Sequence, residues 1–283
     1  MKLFRFGTKG KEKPGIVLPD GSKVDVSEYV EDYDRAFFQE NGVSGLETWI
    51  DRKVNSIPAV EDDIRLGAPV ADPGKIVCVG LNYVDHAKEG GMKIPSEPIL
   101  FFKATSALCG PDDPLVLPRS SKKTDWEVEL ALVIGKEAKY VDESEAMDYV
   151  LGYCLHNDYS EREFQLEKGG QWVKGKSCDT FAPIGPYIVT KDEIDDIHNV
   201  RLWLKVNGEM KQDGSTKGLI FDLPYLVSYI SRFMTLQPGD IISTGTPAGV
   251  GLGFKPPQYL KEGDVVELGI DGLGASKQVA ISQ

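Results

Sequence analysis

The segment from Thr124 to Gly135, Thr-Asp-Trp-Glu-Val-Glu-Leu-Ala-Leu-Val-Ile-Gly, alternates with a period of two and constrains the fold more than any other. Trp126, Val128, Leu130, Leu132 and Ile134 make one large apolar face of a β-strand. Glu127 and Glu129 point to the other face, about 7 Å apart along the strand. Ala131 and Val133 continue that second face as apolar residues, so both faces enter the interior. Carboxylates this close repel, and burial sharpens the repulsion. A sequence tolerates such a pair when water solvates it, when it shares a proton, or when it grips a cation. A third acid, Asp158, ends another apolar stretch, Tyr149 to Asp158. Oxygen donors of this kind suit a hard cation, Mg²⁺ or Mn²⁺ before Zn²⁺, with Ca²⁺ also in range. Spacing alone leaves plainer readings open. Glu127 and Glu129 also fit the wet face of an edge strand. Asp158 also fits the approach to a helix, because Ser160-Glu161-Arg162-Glu163 has the form of a capping box.

The balance of charge narrows the partners. With a formal net charge of −12 over 283 residues, nucleic acid and anionic membrane surfaces are poor partners. A bound cation and one or two lysines can still reverse the local field for an anionic substrate. Cys78, Cys109, Cys154 and Cys178 are scattered without a Cys-x-x-Cys, which argues against disulfides and structural zinc and fits a reducing cytoplasm. The opening Met-Lys-Leu-Phe-Arg-Phe-Gly reads as too short an apolar run for a secretory leader, and no apolar stretch reaches membrane-spanning length.

The pattern along the chain predicts a small first domain over residues 1–71 and a larger, strand-rich one over residues 72–283. The first begins with a strand at Leu3–Phe6 and a hairpin turning at Pro19-Asp20-Gly21. A helix over 36–54, interrupted near Asn41-Gly42, and a Pro-containing strap over 56–74 follow. In the second, a strand over 76–81 opens into Asn82-Tyr83-Val84-Asp85-His86-Ala87-Lys88-Glu89-Gly90-Gly91. Helices are expected over 142–151, 160–168 and 223–233, and a type I′ hairpin at Asn207-Gly208. Pro238-Gly239-Asp240 and Glu262-Gly263-Asp264 read as tight turns before strands.

Several groups carry possible chemistry. His86 and Glu89 stand one helical turn apart, and a His oriented by a carboxylate is a competent base for water; an ordinary surface turn fits the same residues. His156 reads as a hydrogen-bonded structural histidine, and His198, beside Asp195 and Asp196, as exposed. Lys176 sits in an apolar neighbourhood where an ammonium could stabilise an enolate or hold a carboxylate. Gly175-Lys176-Ser177 lacks the spacing of a phosphate-binding loop, and no Gly-x-Ser-x-Gly occurs. The loop Ser243 to Gly253 is rich in small residues, so its N–H groups and the Thr246 hydroxyl are candidate donors to a ligand.

Together these motifs resemble the fumarylacetoacetate hydrolase family. The resemblance runs from Lys75 to about Gly274 through Gly-Leu-Asn-Tyr-Val-Asp-His-Ala-Lys-Glu (80–89), Asp-Trp-Glu-Val-Glu-Leu (125–130), Asn-Asp-Tyr-Ser-Glu-Arg-Glu-Phe-Gln (157–165), Gly-Lys-Ser (175–177), Val-Asn-Gly-Glu (206–209) and Pro-Gly-Asp-Ile-Ile-Ser-Thr-Gly-Thr-Pro-Ala-Gly-Val-Gly (238–251). It implies an α+β, β-rich fold with a mixed β-roll core, paired into a homodimer. It implies a divalent metal on Glu127, Glu129 and Asp158, with His86 and Glu89 preparing water from a closing lid. Lys176 and Gln165 would face the substrate, Thr246 its carboxylate, and Arg162 would support the site. The eponymous enzyme has an acid as a further metal ligand where Asn82 stands here, which implies a three-carboxylate version. Members act on 2-oxo acids through a metal-bound enolate. Pro95 to Asp113 and Lys255 to Asp264 look like the branch that hydrolyses 2,4-diketo-3-deoxy sugar acids to pyruvate and a hydroxy acid. Related sequences carry the label ureidoglycolate lyase, so a lyase, including an oxaloacetate decarboxylase, is the alternative.

Overall fold

The computed structural model describes residues 1–282. Strand Val128–Ile134 lies inside a ten-stranded mixed sheet, and all seven of its residues are buried. Burial on both sides explains why its two faces are apolar beyond the acids. Val150–Asn157 flanks it antiparallel on one side and Ile241–Ser243 on the other. The sheet continues from Val150–Asn157 through Ile188–Thr190 to the N-terminal strands Lys2–Phe6, Lys13–Val17 and Lys23–Asp25. Residues of the expected first domain therefore extend the same sheet that carries the acids. In the other direction Ile76–Gly80 pairs parallel to Ile241–Ser243, and Ile99–Lys103 forms the edge.

A second, five-stranded sheet packs against the first. Its strands Arg201–Val206 and Val265–Ile270 meet Val128–Ile134. Leu202, Leu204 and Leu268 are buried there, each burial favourable by roughly 1.5–3 kcal/mol. The fold is thus the strand-rich α+β arrangement that the sequence predicts.

Local signals mostly act as expected. Asn207 and Gly208 turn the hairpin with φ of 52° and 80°, the left-handed pair a type I′ turn needs. Helix Leu223–Phe233 starts with Pro224 in its first turn and with the Asp222 carboxylate accepting from Tyr225 N–H at 3.0 Å. The 36–54 helix is two helices, Arg35–Gln39 and Gly42–Lys53, broken at Asn41 with φ 57°. Two expected helices differ. Over 142–151 only a 3₁₀ segment, Glu143–Tyr149, forms before the strand begins at Val150. Over 160–168 the capping box does not form. Ser160–Glu161 pairs with Thr124–Asp125 as a short strand, and a π-type turn, Glu163–Glu167, follows. Ser160 Oγ donates to the Asp158 carbonyl, and Glu161 accepts from Thr124 and Lys123 N–H. The two groups of the box are engaged elsewhere, Ser160 with a carbonyl two residues back and Glu163 with Lys168 at 2.9 Å.

Candidate active site

The register of two central strands assembles the acids. Val128 pairs with Asn157 and Glu129 with His156, and Asp158 N–H donates to the Glu127 carbonyl at 2.9 Å. Residues opposite one another share a face, and so do residues two apart. Glu127, Glu129, His156 and Asp158 therefore gather on one side of the sheet. One oxygen from each of the three acids lies within 4.8 Å of the others, and all three residues are buried. The reading as a wet edge-strand face is excluded by this burial in the middle of the sheet.

Charge around the acids is unevenly neutralised. Lys176 Nζ bridges Glu127 and Asp158 at 2.7 Å each. Lys103 Nζ holds the other Asp158 oxygen at 2.5 Å. Arg162 reaches Glu127 at 2.7 Å, Asp125 at 2.8 Å and the Gln165 carbonyl oxygen at 3.0 Å. Burial alone would raise the Asp158 carboxyl, but Lys103 and Lys176 outweigh it and hold it well below the ordinary value. Burial alone would likewise discharge Lys176, yet Asp158 and Glu127 keep it charged. Glu129 has no cation partner among the described residues; it accepts from Ser243 Oγ at 2.5 Å and Gly245 N–H at 3.0 Å. Burial, then Asp158 and Glu127, push its carboxyl well above the usual range. A buried, unneutralised carboxylate beside two others is what a divalent cation would resolve, so the donor set fits such an ion.

These groups form the floor of a cavity of about 680 Å³, within the range of small-molecule sites. Glu127, Glu129, Arg162, Gln165, Lys176 and Thr246 line it, as do His86 and Glu89. Asp158 lies behind Lys176, off the lining. His86 and Glu89 ride on the short helix Val84–Glu89. Their nearest approach, Nδ1 to Oε2, is 3.5 Å, and Nδ1 has no hydrogen-bond partner. Glu89 is anchored instead by Gly249 N–H at 3.1 and 3.2 Å to its two oxygens. A side chain at Gly253 would collide with that carboxylate, so the loop seats the helix.

The donors expected of the small-residue loop are largely engaged within the protein. Gly245 N–H serves Glu129, Gly249 N–H serves Glu89, and Gly251 and Leu252 N–H serve Asp125. The Thr246 hydroxyl donates to Val128 O and accepts from Gln212, so its proton is not free for a substrate carboxylate. Asn82 is fully buried and points away from the acids: its amide donates to Phe221 O and Thr244 O, and its oxygen accepts from Phe221 N–H. His156 is structural, bonded through Nδ1 to Ser243 at 2.6 Å and pushed down to about 3 by burial. His198 is exposed. Sequence reasoning passed over Lys103 and Asp125. A lysine ending the apolar run Ile-Leu-Phe-Phe-Lys was the available signal for the first. Asp125 lies in the alternating segment itself, two residues before Glu127 on the same face, which was the available signal for the second.

No helix among the described residues is long and apolar enough to cross a membrane. Residues 75–280 match the family described as fumarylacetoacetate (FAA) hydrolase, C-terminal. A Burkholderia multivorans protein whose name goes no further than hydrolase is 51% identical over 280 residues, covering 99% of this chain and 98% of its own. The solved fumarylacetoacetate hydrolase from Exiguobacterium antarcticum is 36% identical, with TM-score 0.86 and full coverage of both chains. A maleylpyruvate hydrolase from Sphingobium sp. SYK-6, solved with manganese(II) and pyruvate, is 30% identical with TM-score 0.83, covering 100% of this chain and 99% of that one.

Proposed function

The chain belongs to the fumarylacetoacetate hydrolase family, and on that premise we propose that it hydrolyses a C–C bond in a 2,4-diketo acid, releasing pyruvate and a carboxylic acid. The observation that carries this reading is one cavity lined by Glu127, Glu129, a buried lysine and a His–Glu pair, with Asp158 converging on the two acids from behind that lysine. The manganese(II) and pyruvate in the maleylpyruvate hydrolase support it. A 3-deoxy sugar acid, giving a hydroxy acid, is the narrower substrate that the sequence resemblance suggests.

Glu127, Glu129 and Asp158 would hold Mg²⁺ or Mn²⁺, which when bound supplies Lewis-acid polarisation of a 2-oxo carboxylate. Arg162 fixes Glu127 and, through the Gln165 carbonyl oxygen, orients the Gln165 amide. The Gln165 N–H₂ has no protein partner among the described residues and is available to the substrate. Lys176, paired with Glu127 and Asp158 at 2.7 Å each, would serve as the cation for the enolate oxygen that forms as the bond breaks. His86 takes the proton of the attacking water, with a Glu89 carboxylate oxygen 3.5 Å from its Nδ1. The hydroxyl adds to C4, the C3–C4 electron pair moves into the enolate, and a proton from the His86 imidazolium completes pyruvate.

The test is a screen of metal-reconstituted protein with 2,4-diketo acids, ureidoglycolate and oxaloacetate. Pyruvate release with bleaching of the enol absorbance is expected from the diketo acids. Urea and glyoxylate from ureidoglycolate, or CO₂ together with pyruvate from oxaloacetate, would instead assign a lyase.

A further inference from the structure

The lining of the cavity combines charged groups with large apolar side chains. Its floor carries the charged groups described above, and among the described residues these are largely paired with one another. Its walls are apolar. Phe101 and Trp172 meet edge to face, ring centroids 5.3 Å apart at 65°. Trp172 lies over Gly80, where a Cβ would come within 2.6 Å of the ring. Three large hydrophobic residues line the same cavity while standing open to solvent: Met92 at 45%, Leu166 at 47% and Leu252 at 39% exposure. Apolar side chains left uncovered around one concave site mark a surface that a ligand covers. Beyond the floor, the charged or titratable side chains on the lining are His86 and Glu89 of the short helix, with Glu89 held by Gly249 N–H, and Lys88 and Lys255, which are exposed.

We propose that the acyl group beyond the 2,4-dioxo unit of the substrate is apolar, an alkyl chain or aryl ring seated between Phe101, Trp172, Leu166, Met92 and Leu252. This rests on reading the cavity as a 2,4-diketo acid site, and it replaces the sugar acid expected from sequence. A polyhydroxylated tail would leave its hydroxyls against these walls without partners, at roughly tenfold or more in affinity for each one unsatisfied. An apolar tail gains about fourfold per methylene buried.

Two measurements on the Mn²⁺-loaded protein separate this inference from the reaction it rests on. The first is binding, by calorimetry, of pyruvate, 2-oxopentanoate and 2-oxoheptanoate, beside hydroxylated and ω-carboxylated 2-oxo acids of matched length. Affinity should climb about fourfold per methylene along the unsubstituted series, and Leu166→Ser should flatten the climb. A flat series, or tighter binding of the hydroxylated or ω-carboxylated acid, overturns the inference. The second is hydrolysis of the corresponding 2,4-diketo acids, in which kcat/KM should rank in the same order. A binding ladder without hydrolysis refutes the proposed reaction and leaves the apolar site standing. Hydrolysis that favours hydroxylated acids refutes the apolar site and leaves the reaction standing. Absence of both refutes both.

Discussion

Glu129 is touched by a hydroxyl and an amide but by no lysine or arginine among the described residues, although two acids stand beside it. That imbalance has a measurable consequence in pH. The folded metal-free protein keeps a proton on Glu129 above the ordinary value of 4.5, so the folded state binds more protons than the unfolded chain there. The stability from this group is complete below 4.5 and is lost as pH rises through the raised value. Asp158 runs the other way: its contribution is present above 3.8 and is lost only as pH falls below that. The metal-free protein should therefore lose Tm as pH rises above 4.5 toward the raised value, and Mn²⁺ should abolish that decline. A Tm that rises with pH in EDTA would contradict the account. Lys103 offers a second test. Its ammonium is fully buried against Asp158 and the Tyr159 carbonyl. Lys103→Met should destabilise the protein by about 3 kcal/mol in urea unfolding, because it withdraws one partner of a buried pair. An effect within about 0.5 kcal/mol, the usual range of surface substitutions, would show that Lys176 alone suffices.

The helix Val84–Glu89 carries the proposed base, His86. Its six residues are held toward the floor by Glu89 on Gly249, with Gly253 leaving room. His86→Ala should reduce hydrolysis by roughly 10²–10⁴-fold while leaving Mn²⁺ affinity unchanged in calorimetry; undiminished hydrolysis would remove His86 from water activation. Gly253→Ala should push the Glu89 carboxylate off its seat. Faster hydrogen exchange over 84–91 and a lower kcat are expected, and unchanged exchange would show that the loop does not hold the helix. The long helix Leu223–Phe233 gives a control away from the site. Asp222→Ala removes its capping carboxylate and should cost about 1 kcal/mol of stability with kcat/KM unaltered. This helix was legible because an early proline and apolar residues at helical spacing agree, and the structure adds the Asp222 cap. The segment after Asp158 was not. Ser160–Glu161 is drawn into a strand pair with Thr124–Asp125, and Glu161 accepts from Thr124 and Lys123 N–H, partners that only the assembled sheet provides.

Across the whole molecule, the acid face is a product of strand register. The period-two pattern placed Glu127 and Glu129 together within one strand. Joining them to Asp158 needed the pairing of Val128 with Asn157, and here the family resemblance supplied what spacing left open. The walls of the cavity escaped the sequence because Phe101, Trp172, Leu166 and Leu252 come from four separated segments, each unremarkable alone. Continuity of the sheet from Lys23–Asp25 to Ile99–Lys103 was also hidden, since the pairing of Lys2–Phe6 with Ile188–Thr190 spans most of the chain. The account depends most on the acid face gripping a cation, and diffraction at the manganese edge from crystals grown with Mn²⁺ tests that directly. It should show one strong anomalous peak ligated by oxygens of Glu127, Glu129 and Asp158, lost in Glu129→Gln. A manganese bound elsewhere, or at this face with those carboxylates turned away, would contradict it.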